Sequence, residues 1–106
     1  PSITDLDISD NLLSDECFDN GLELCPSLTR LNVGVNRLSN IAAKVIFGSR
    51  GLIDVDLRSN DVEYLGVQSI EHNSSIRYLH LGSNPMNSEA KILLLNHPTL
   101  LTISMN

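Results

Sequence analysis

The three histidines are the side chains in this sequence best suited to acid–base or metal chemistry. A zinc site built on His72 and His97 would need a cysteine, a third histidine or a carboxylate at ligand spacing, and none recurs with this pair. The stretch Gly48-Ser49-Arg50-Gly51 lacks the lysine and the length of a phosphate-binding loop. The sequence therefore predicts no metal and no cofactor.

His80 could belong to a hydrolytic set, because Asp56 and Ser104 stand 24 residues before and after it. Such a set works only where a pocket excludes water and donors stabilise an oxyanion. The equal spacing also indicates a sequence repeat. Whether the three residues share a pocket depends on the elements that this repeat forms.

The charge balance restricts the partners that the chain can bind. Thirteen acidic and seven basic residues give a formal net charge of -6. This argues against phosphate backbones and anionic membranes, and the seven basic residues are scattered rather than clustered with stacking aromatics. No apolar run is long enough to cross a bilayer. We therefore expect no nucleic acid and no membrane partner.

An apolar pattern ending in asparagine recurs along the whole chain, and its first residue returns after 25, 24, 24 and 24 residues. The copies are Ile3, Leu6, Ile8 and Asn11; Leu28, Leu31, Val33 and Asn36; Leu52, Val55, Leu57 and Asn60; Ile76, Leu79, Leu81 and Asn84; and a partial copy, Leu100, Ile103 and Met105. One domain over 1–106 is predicted, with repeats 1–25, 26–49, 50–73, 74–97 and a partial repeat 98–106. Because the chain opens at Pro1 in repeat register, we expect it to be a fragment of a longer protein.

Each repeat opens with alternating residues, as in Leu31 and Val33 against Arg30, Asn32 and Gly34. A period of two predicts a short strand with one buried side, and the common chain direction predicts a parallel sheet with strands about 4.8 Å apart. An asparagine then stands at a single offset where the strand must turn: Asn11, Asn36, Asn60 and Asn84. Stacked asparagines can bond the turn backbone of their own and neighbouring repeats, so we predict a structural asparagine ladder.

After the asparagine, the apolar period changes to that of a helix. The predicted apolar faces are Leu38, Ile41, Ala42, Val45 and Ile46; Val62, Leu65, Gly66 and Ile70; and Met86, Ala90, Leu93 and Leu94. We expect Ser14, Ser39 and Asn87 to cap the helices, and small residues at Cys17, Ala42, Gly66 and Ala90 to let each helix approach the sheet. The first repeat has an interrupted face, and its helix is less regular.

Both cysteines, Cys17 and Cys25, fall in the first repeat. We expect two small buried apolar residues in a reducing compartment, with a disulfide or redox pair as the alternative. A cytoplasmic protein is predicted accordingly.

The motif Leu28, Leu31, Val33, Asn36 and Leu38 matches L-x-x-L-x-L-x-x-N-x-L, so the chain resembles a leucine-rich repeat protein. The resemblance implies an α/β solenoid of about four and a half repeats, with a parallel sheet on the concave side and helices on the convex side. The full helix is similar to the ribonuclease-inhibitor-like class. The short period and the tails at 71–76 and 95–100 are similar to bacterial GALA-type repeats, although the Gly-Ala pair of those repeats is absent.

The same resemblance implies that the concave sheet binds a protein. The alternation gives its first column as Asp5, Arg30, Asp54, Tyr78 and Thr102, its second as Asp7, Asn32, Asp56, His80 and Ser104, and its third as Ser9, Gly34, Arg58, Gly82 and Asn106. The predicted binding residues are Asp5, Asp7, Arg30, Asn32, Asp54, Asp56, Arg58, Tyr78 and His80. Simple solvation of these strand residues is the alternative at each position.

We therefore predict a non-enzymatic module that binds a protein segment with basic residues, because an open sheet offers a hydrolytic set no enclosed pocket. One alternative is the substrate-recruiting arm of a larger protein, such as a ubiquitin ligase or a bacterial effector that acts in the host cytoplasm. Another is a spacer or a self-associating array. The sequence does not identify the partner.

Overall fold

The computed structural model describes residues 3–18 and 27–105, and within them five short strands form one parallel sheet in sequence order. The strands are β1 (Asp5–Asp7), β2 (Arg30–Asn32), β3 (Asp54–Asp56), β4 (Tyr78–His80) and β5 (Thr102–Ser104). Helices α1 (Asn40–Phe47), α2 (Tyr64–Gln68) and α3 (Ser88–Leu95) follow β2, β3 and β4. A 3-10 turn, Asp15–Phe18, follows β1, and another, Ser69–His72, extends α2. The predicted α/β class with a parallel sheet is confirmed.

Neighbouring strands pair in a register that equals the sequence repeat. Leu6 pairs with Leu31, Leu31 with Val55, Val55 with Leu79, and Leu79 with Ile103. The central residue is 2% exposed in β2 and fully buried in β3 and β4. Each repeat thus covers the apolar side of its neighbour, which is the packing expected of a repeat array.

The buried side of α1 differs from the predicted one. Ile41 and Val45 are 64% and 38% exposed, whereas Ala42, Ala43, Ile46 and Phe47 pack in the core. The prediction for α2 was wrong in the same way at Leu65, which is 68% exposed. Positions one residue apart differ by about 100° around a helix, so the helix start fixes which of two adjacent apolar residues faces inward. Where apolar residues stand at adjacent helix positions, as Ile41 and Ala42 do, the apolar pattern alone does not make that choice.

In the first repeat the predicted burial of Cys17 was wrong, because this residue is exposed and carries a free thiol. In the tight 3-10 turn Asp15–Phe18 it is Phe18 that turns into the core, at 4% exposure. Cys25 lies outside the described residues. Gly66 lies against α1 of the preceding repeat, since an added Cβ would lie 2.6 Å from Asn40 Oδ1 and 3.1 Å from Ala43 Cβ. The small residue there permits close packing of two helices, and its predicted role toward the sheet stays a prediction.

The first amides of two helices are capped by the preceding repeat. Asp15 Oδ1 accepts hydrogen bonds from the amides of Ser39 and Ala42 at 2.8 and 3.1 Å. Asn40 Oδ1, one repeat later, accepts from the corresponding amides of α2 at 2.8 and 3.0 Å. Ser39 was predicted to cap α1, but its side chain makes no cap bond. In α3 the predicted cap is present, because Asn87 Oδ1 accepts from Ala90 N at 2.9 Å.

The asparagines after the strands bond backbone groups of two adjacent repeats. Asn60 Nδ2 donates to the carbonyls of Leu57 and Arg58 in its own turn and of Val33 in the preceding repeat. Its Oδ1 accepts from Leu38 N at 3.0 Å. Asn36 and Asn84 make the corresponding bonds to their own turns and to the preceding repeats.

We expect Asn60→Ala to lower the free energy of unfolding by about 2–4 kcal/mol, because it leaves buried backbone groups without partners. The matched control is Asn11→Ala. Asn11 is exposed, and among the described residues its side chain donates only to the carbonyls of Ile8 and Ser9, so a loss below about 1 kcal/mol is expected there. Urea unfolding followed by circular dichroism measures both. Equal losses would contradict the ladder's role.

The residue before each ladder asparagine has a left-handed backbone. The φ angles are 58° at Asp10, 54° at Val35, 57° at Ser59 and 58° at Ser83. Short polar residues visit this region at modest cost, but a β-branched residue there is strained. Val35 therefore occupies a conformation that disfavours its side-chain type.

Replacing Val35 with asparagine is expected to raise the free energy of unfolding by about 0.5–1 kcal/mol, since relief of backbone strain exceeds the loss of a half-buried apolar side chain. The reciprocal change, Ser59→Val, introduces the strain elsewhere and is expected to cost about 1 kcal/mol. Urea midpoints compare the two variants. A less stable Val35→Asn protein would show that strain at this turn is negligible.

Candidate functional site: the open face of the sheet

The open face of the sheet is formed by the outward residues of the five strands, while their central residues point into the core. The structure places Asp5, Arg30, Asp54, Tyr78 and Thr102 in one row and Asp7, Asn32, Asp56, His80 and Ser104 in a second. Of the predicted third row, Asn106 lies outside the described residues. Because the strands are only three residues long, two rows of side chains constitute nearly the whole face.

Charges alternate along the first row. Arg30 Nη1 lies 3.6 Å from Asp5 Oδ2, and Arg30 Nε lies 3.8 Å from Asp54 Oδ2. The side chains of Arg30 and Asp5 are 66% and 58% exposed, so water and salt screen their pairing. Ion pairs of this kind contribute up to about 1 kcal/mol each, and a partner can displace them.

The second row is held by bonds to the turns that follow the strands. Asp7 Oδ1 accepts from Ser9 N, Asn32 Oδ1 from Gly34 N, and Asp56 Oδ1 from Arg58 N, each at 3.0 Å. Ser9 Oγ also donates to Asp7 at 2.7 Å. This hydroxyl bond, followed by the amide bond, lowers the pKa of Asp7 below its usual 3.8, and slight burial opposes the effect.

Asp56 and Arg58 form the tightest ion pair of the face. Arg58 Nη2 lies 2.7 Å from Asp56 Oδ2, and Arg58 Nε contacts both carboxylate oxygens. The hydrogen bond to Asp56, and then its charge, raise the pKa of Arg58. Asp56 itself is 9% exposed. The Asp56 carboxylate is therefore already bonded within the chain.

His80 interrupts the pattern of the second row. Its Nε2 lies 3.8 Å from Asp54 Oδ1, so Asp54 is flanked by His80 and by Arg30. The Asp56 carboxylate bonds Arg58, which leaves the hypothetical set of His80, Asp56 and Ser104 without its orienting acid. Within the described ranges no group of three or more histidines, cysteines or carboxylates could hold a metal ion.

An open groove of about 370 Å³ runs over the first three strands and ends at His80. Its lining residues are Asp5, Leu6, Asp7, Arg30, Leu31, Asn32, Asp54, Asp56 and His80. Four carboxylates and one guanidinium line it, so the groove attracts cations. Beyond His80 the face is uncharged, with Tyr78 40% exposed on β4. The groove and this tyrosine are both open to another molecule.

A second set of polar residues, which the sequence analysis missed, closes the turns before the strands. Ser49 Oγ, Asn73 Oδ1 and His97 Nδ1 each accept from the amide two residues further on. His97 Nε2 bonds the carbonyl of Ile70 at 2.9 Å, so this nitrogen carries the proton. The sequence shows these three residues at a spacing of 24. Because they are of three different types, the sequence does not show that each accepts a bond in the same turn. His97 is thus a structural side chain.

The fold and the site define a repeat protein whose parallel sheet has one covered and one uncovered side. Residues 26–86 match the family model described as Leucine rich repeat, which spans more than half of the chain. The chain belongs to the leucine-rich repeat family.

The structure is also similar to a solved structure described as "Leiomodin-1 Actin-Binding Site 2 (ABS2)", with a TM-score of 0.79 and 16% sequence identity. The alignment covers 100% of this chain and 72% of that one. No curated protein sequence matches significantly. In the described part of the chain, no helix is long and apolar enough to cross a membrane. Family membership supports a protein-interaction module rather than an enzyme.

The lowered pKa of Asp7 predicts its behaviour in acid. A carboxyl group whose folded pKa lies below the unfolded value stabilises the fold above the unfolded value, and this contribution disappears as the pH falls through the folded pKa. We expect Ser9→Ala to raise the pKa of Asp7 toward 3.8, because it removes the largest cause of the shift. An NMR titration of the Asp7 carboxyl carbon measures it, with Ser83→Ala as control. An unchanged pKa in Ser9→Ala would show that the hydroxyl bond does not form in solution.

Proposed function

We propose that this domain binds a protein partner through the open face of its sheet, which we take to be the concave side of the array. The observation that carries the proposal is the uncovered groove, with four carboxylates and one guanidinium among its lining side chains. Family membership and the fold shared with an actin-binding domain support a protein partner. At 16% identity that likeness concerns the fold alone, so it gives no reason to propose actin as the partner.

The partner segment that fits this groove carries lysine or arginine. Asp5 and Asp54 are its principal contacts, because their bonds to Arg30 are long and a new cation can replace them. Asp7 and Asp56 already accept bonds from their own turns, so they add charge to the groove more than new contacts. Tyr78 supplies the exposed aromatic side chain at which interface energy often concentrates.

The mechanism proposed is recognition without covalent chemistry. Acidic side chains attract the basic segment, and the short strands hold Asp5 and Asp54 in register across the sheet, two strands apart. The rigid sheet keeps these groups in place before the partner arrives, which reduces the entropy lost on binding. The cytoplasmic location predicted from the sequence stays a prediction.

We expect Asp54→Arg to weaken binding of the captured partner at least tenfold, because it reverses the charge at the centre of the groove. The partner is captured from a lysate with the wild-type chain, identified by mass spectrometry and titrated by calorimetry at two salt concentrations. Wild-type affinity should fall with salt, since screening weakens a contact between exposed charges.

The matched control is Glu89→Arg, which makes the same charge change on the exposed surface of α3. It is expected to retain wild-type affinity. If both variants bind equally well, or lose affinity equally, the open face is not the binding surface.

A further inference from the structure

We infer that a polar cavity at the turns before β3 and β4 binds a small molecule that carries one phosphate group. This turn cavity has a volume of about 500 Å³, and its polar lining includes Ser49, Arg50, His72, Asn73 and Ser74. Sites for small molecules usually have volumes of about 300–1,000 Å³. No described residue lines both the turn cavity and the acidic groove, so the inference is independent of the proposed function.

The first argument is the charge of the turn cavity. Arg50 and His72 line it, whereas no aspartate or glutamate of the described chain does. Both side chains are exposed, and within residues 3–18 and 27–105 neither takes part in an ion pair. Arg77 Nη1 donates to the carbonyl of Ser74 at 2.7 Å, so a second guanidinium lies next to the cavity. The planar donors of a guanidinium match the oxygens of a phosphate group.

The second argument is that two backbone amides at the cavity have no acceptor. Arg50 and Ser74 occupy the same position in successive repeats, and neither amide donates a hydrogen bond to another described residue. Two other repeats carry proline at this position, Pro26 and Pro98. Proline has no N–H, so this position of the repeat does not require one. Unused amides in turns are common ligands of anions.

The third argument is that the carbonyls which would repel an anion are already bonded. α1 ends at the cavity, and the last carbonyls of a helix carry partial negative charge. Asn73 Nδ2 donates to the carbonyls of Phe47 and Ser49 at 2.7 and 2.9 Å. Ser49 Oγ accepts from the amide of Gly51, which leaves the hydroxyl proton for another acceptor. The groups still free to bond at this cavity are therefore mainly donors.

The number of donors and the net charge indicate the class of ligand. The available donors are the side chains of Arg50 and His72, the hydroxyls of Ser49 and Ser74, and the amides of Arg50 and Ser74. The three terminal oxygens of a phosphate monoester can use more of these donors than the two oxygens of a carboxylate. The net charge of -6 repels polyanions such as nucleic acids, so it favours a small ligand with a single phosphate group.

NMR titration of the isotope-labelled whole chain with glycerol 3-phosphate tests the inference, with glycerol as the matched probe. We expect saturable shifts with glycerol 3-phosphate, with the amide protons of Arg50 and Ser74 moving downfield, and none with glycerol. Arg50→Gln should weaken binding about tenfold, because it removes a charged donor. The control Arg37→Gln makes the same charge change on an exposed residue outside the cavity and should retain wild-type affinity.

A second variant, Ser74→Pro, removes one of the two free amides. Asn73 before it has an extended backbone, with φ −84° and ψ 129°, which is the conformation that a following proline favours. We expect Ser74→Pro to fold and to bind glycerol 3-phosphate more weakly than wild type. Urea midpoints close to that of wild type would show that both cavity variants are folded.

The inference is overturned if glycerol 3-phosphate gives no saturable shift at millimolar concentration, or if glycerol gives the same shifts. Equal weakening by Arg37→Gln and Arg50→Gln would also overturn it, since only the net charge would then matter. So would shifts that leave the amides of Arg50 and Ser74 unchanged. None of these outcomes bears on the acidic groove, because the titration contains no protein partner.

Discussion

The structure depends on one requirement, that the backbone groups buried where each strand turns must find hydrogen-bond partners inside the chain. Asparagine meets it because its carboxamide has an acceptor oxygen and an NH₂ group that can donate several bonds at once. Asn60 uses both, bonding its own turn and the repeat before it. An aspartate at this position would offer no donor, and a serine would reach fewer groups. Within the described ranges no buried side-chain nitrogen or oxygen is left without a partner.

The same requirement explains how the repeats are fixed to one another. Asn73 and His97 close the turns before the strands, and Asp15 and Asn40 cap the helix of the following repeat. These bonds reach across repeats, so no repeat is complete without its neighbour. The backbone is thereby satisfied by residues outside the open face. Most side chains in the first row of that face therefore make no bond on which the fold depends. Side chains of this kind can bind another molecule without a loss of stability.

The sequence predicted the elements in which one residue type, apolar or asparagine, recurs at a fixed spacing. It failed where the outcome depends on neighbours in three dimensions. The strand register and the positions of Asn36, Asn60 and Asn84 follow from spacing alone. The exposure of Ile41 does not, because a helix that is apolar on several sides can turn either side inward. Nor does the cap from Asp15 to α1, since the bond joins residues 24 positions apart whose types also suit ordinary turns.

For the open face, the sequence predicted which residues stand on it but not the hydrogen bonds and ion pairs that they make. These bonds decide which carboxylates can bind a cation. Asp56 is nearly buried and holds Arg58 through a bidentate pair, so a partner cation would have to break strong bonds to reach it. Asp54 keeps 29% of its side chain exposed, and its two neighbours, Arg30 Nε and His80 Nε2, both lie at 3.8 Å. In the interaction that we propose, an entering lysine or arginine therefore loses little by displacing them and gains a direct contact. Two aspartates that look equivalent in the sequence thus differ in their bonding, because Asp56 is bonded to its own turn and Asp54 is available to the partner that we propose.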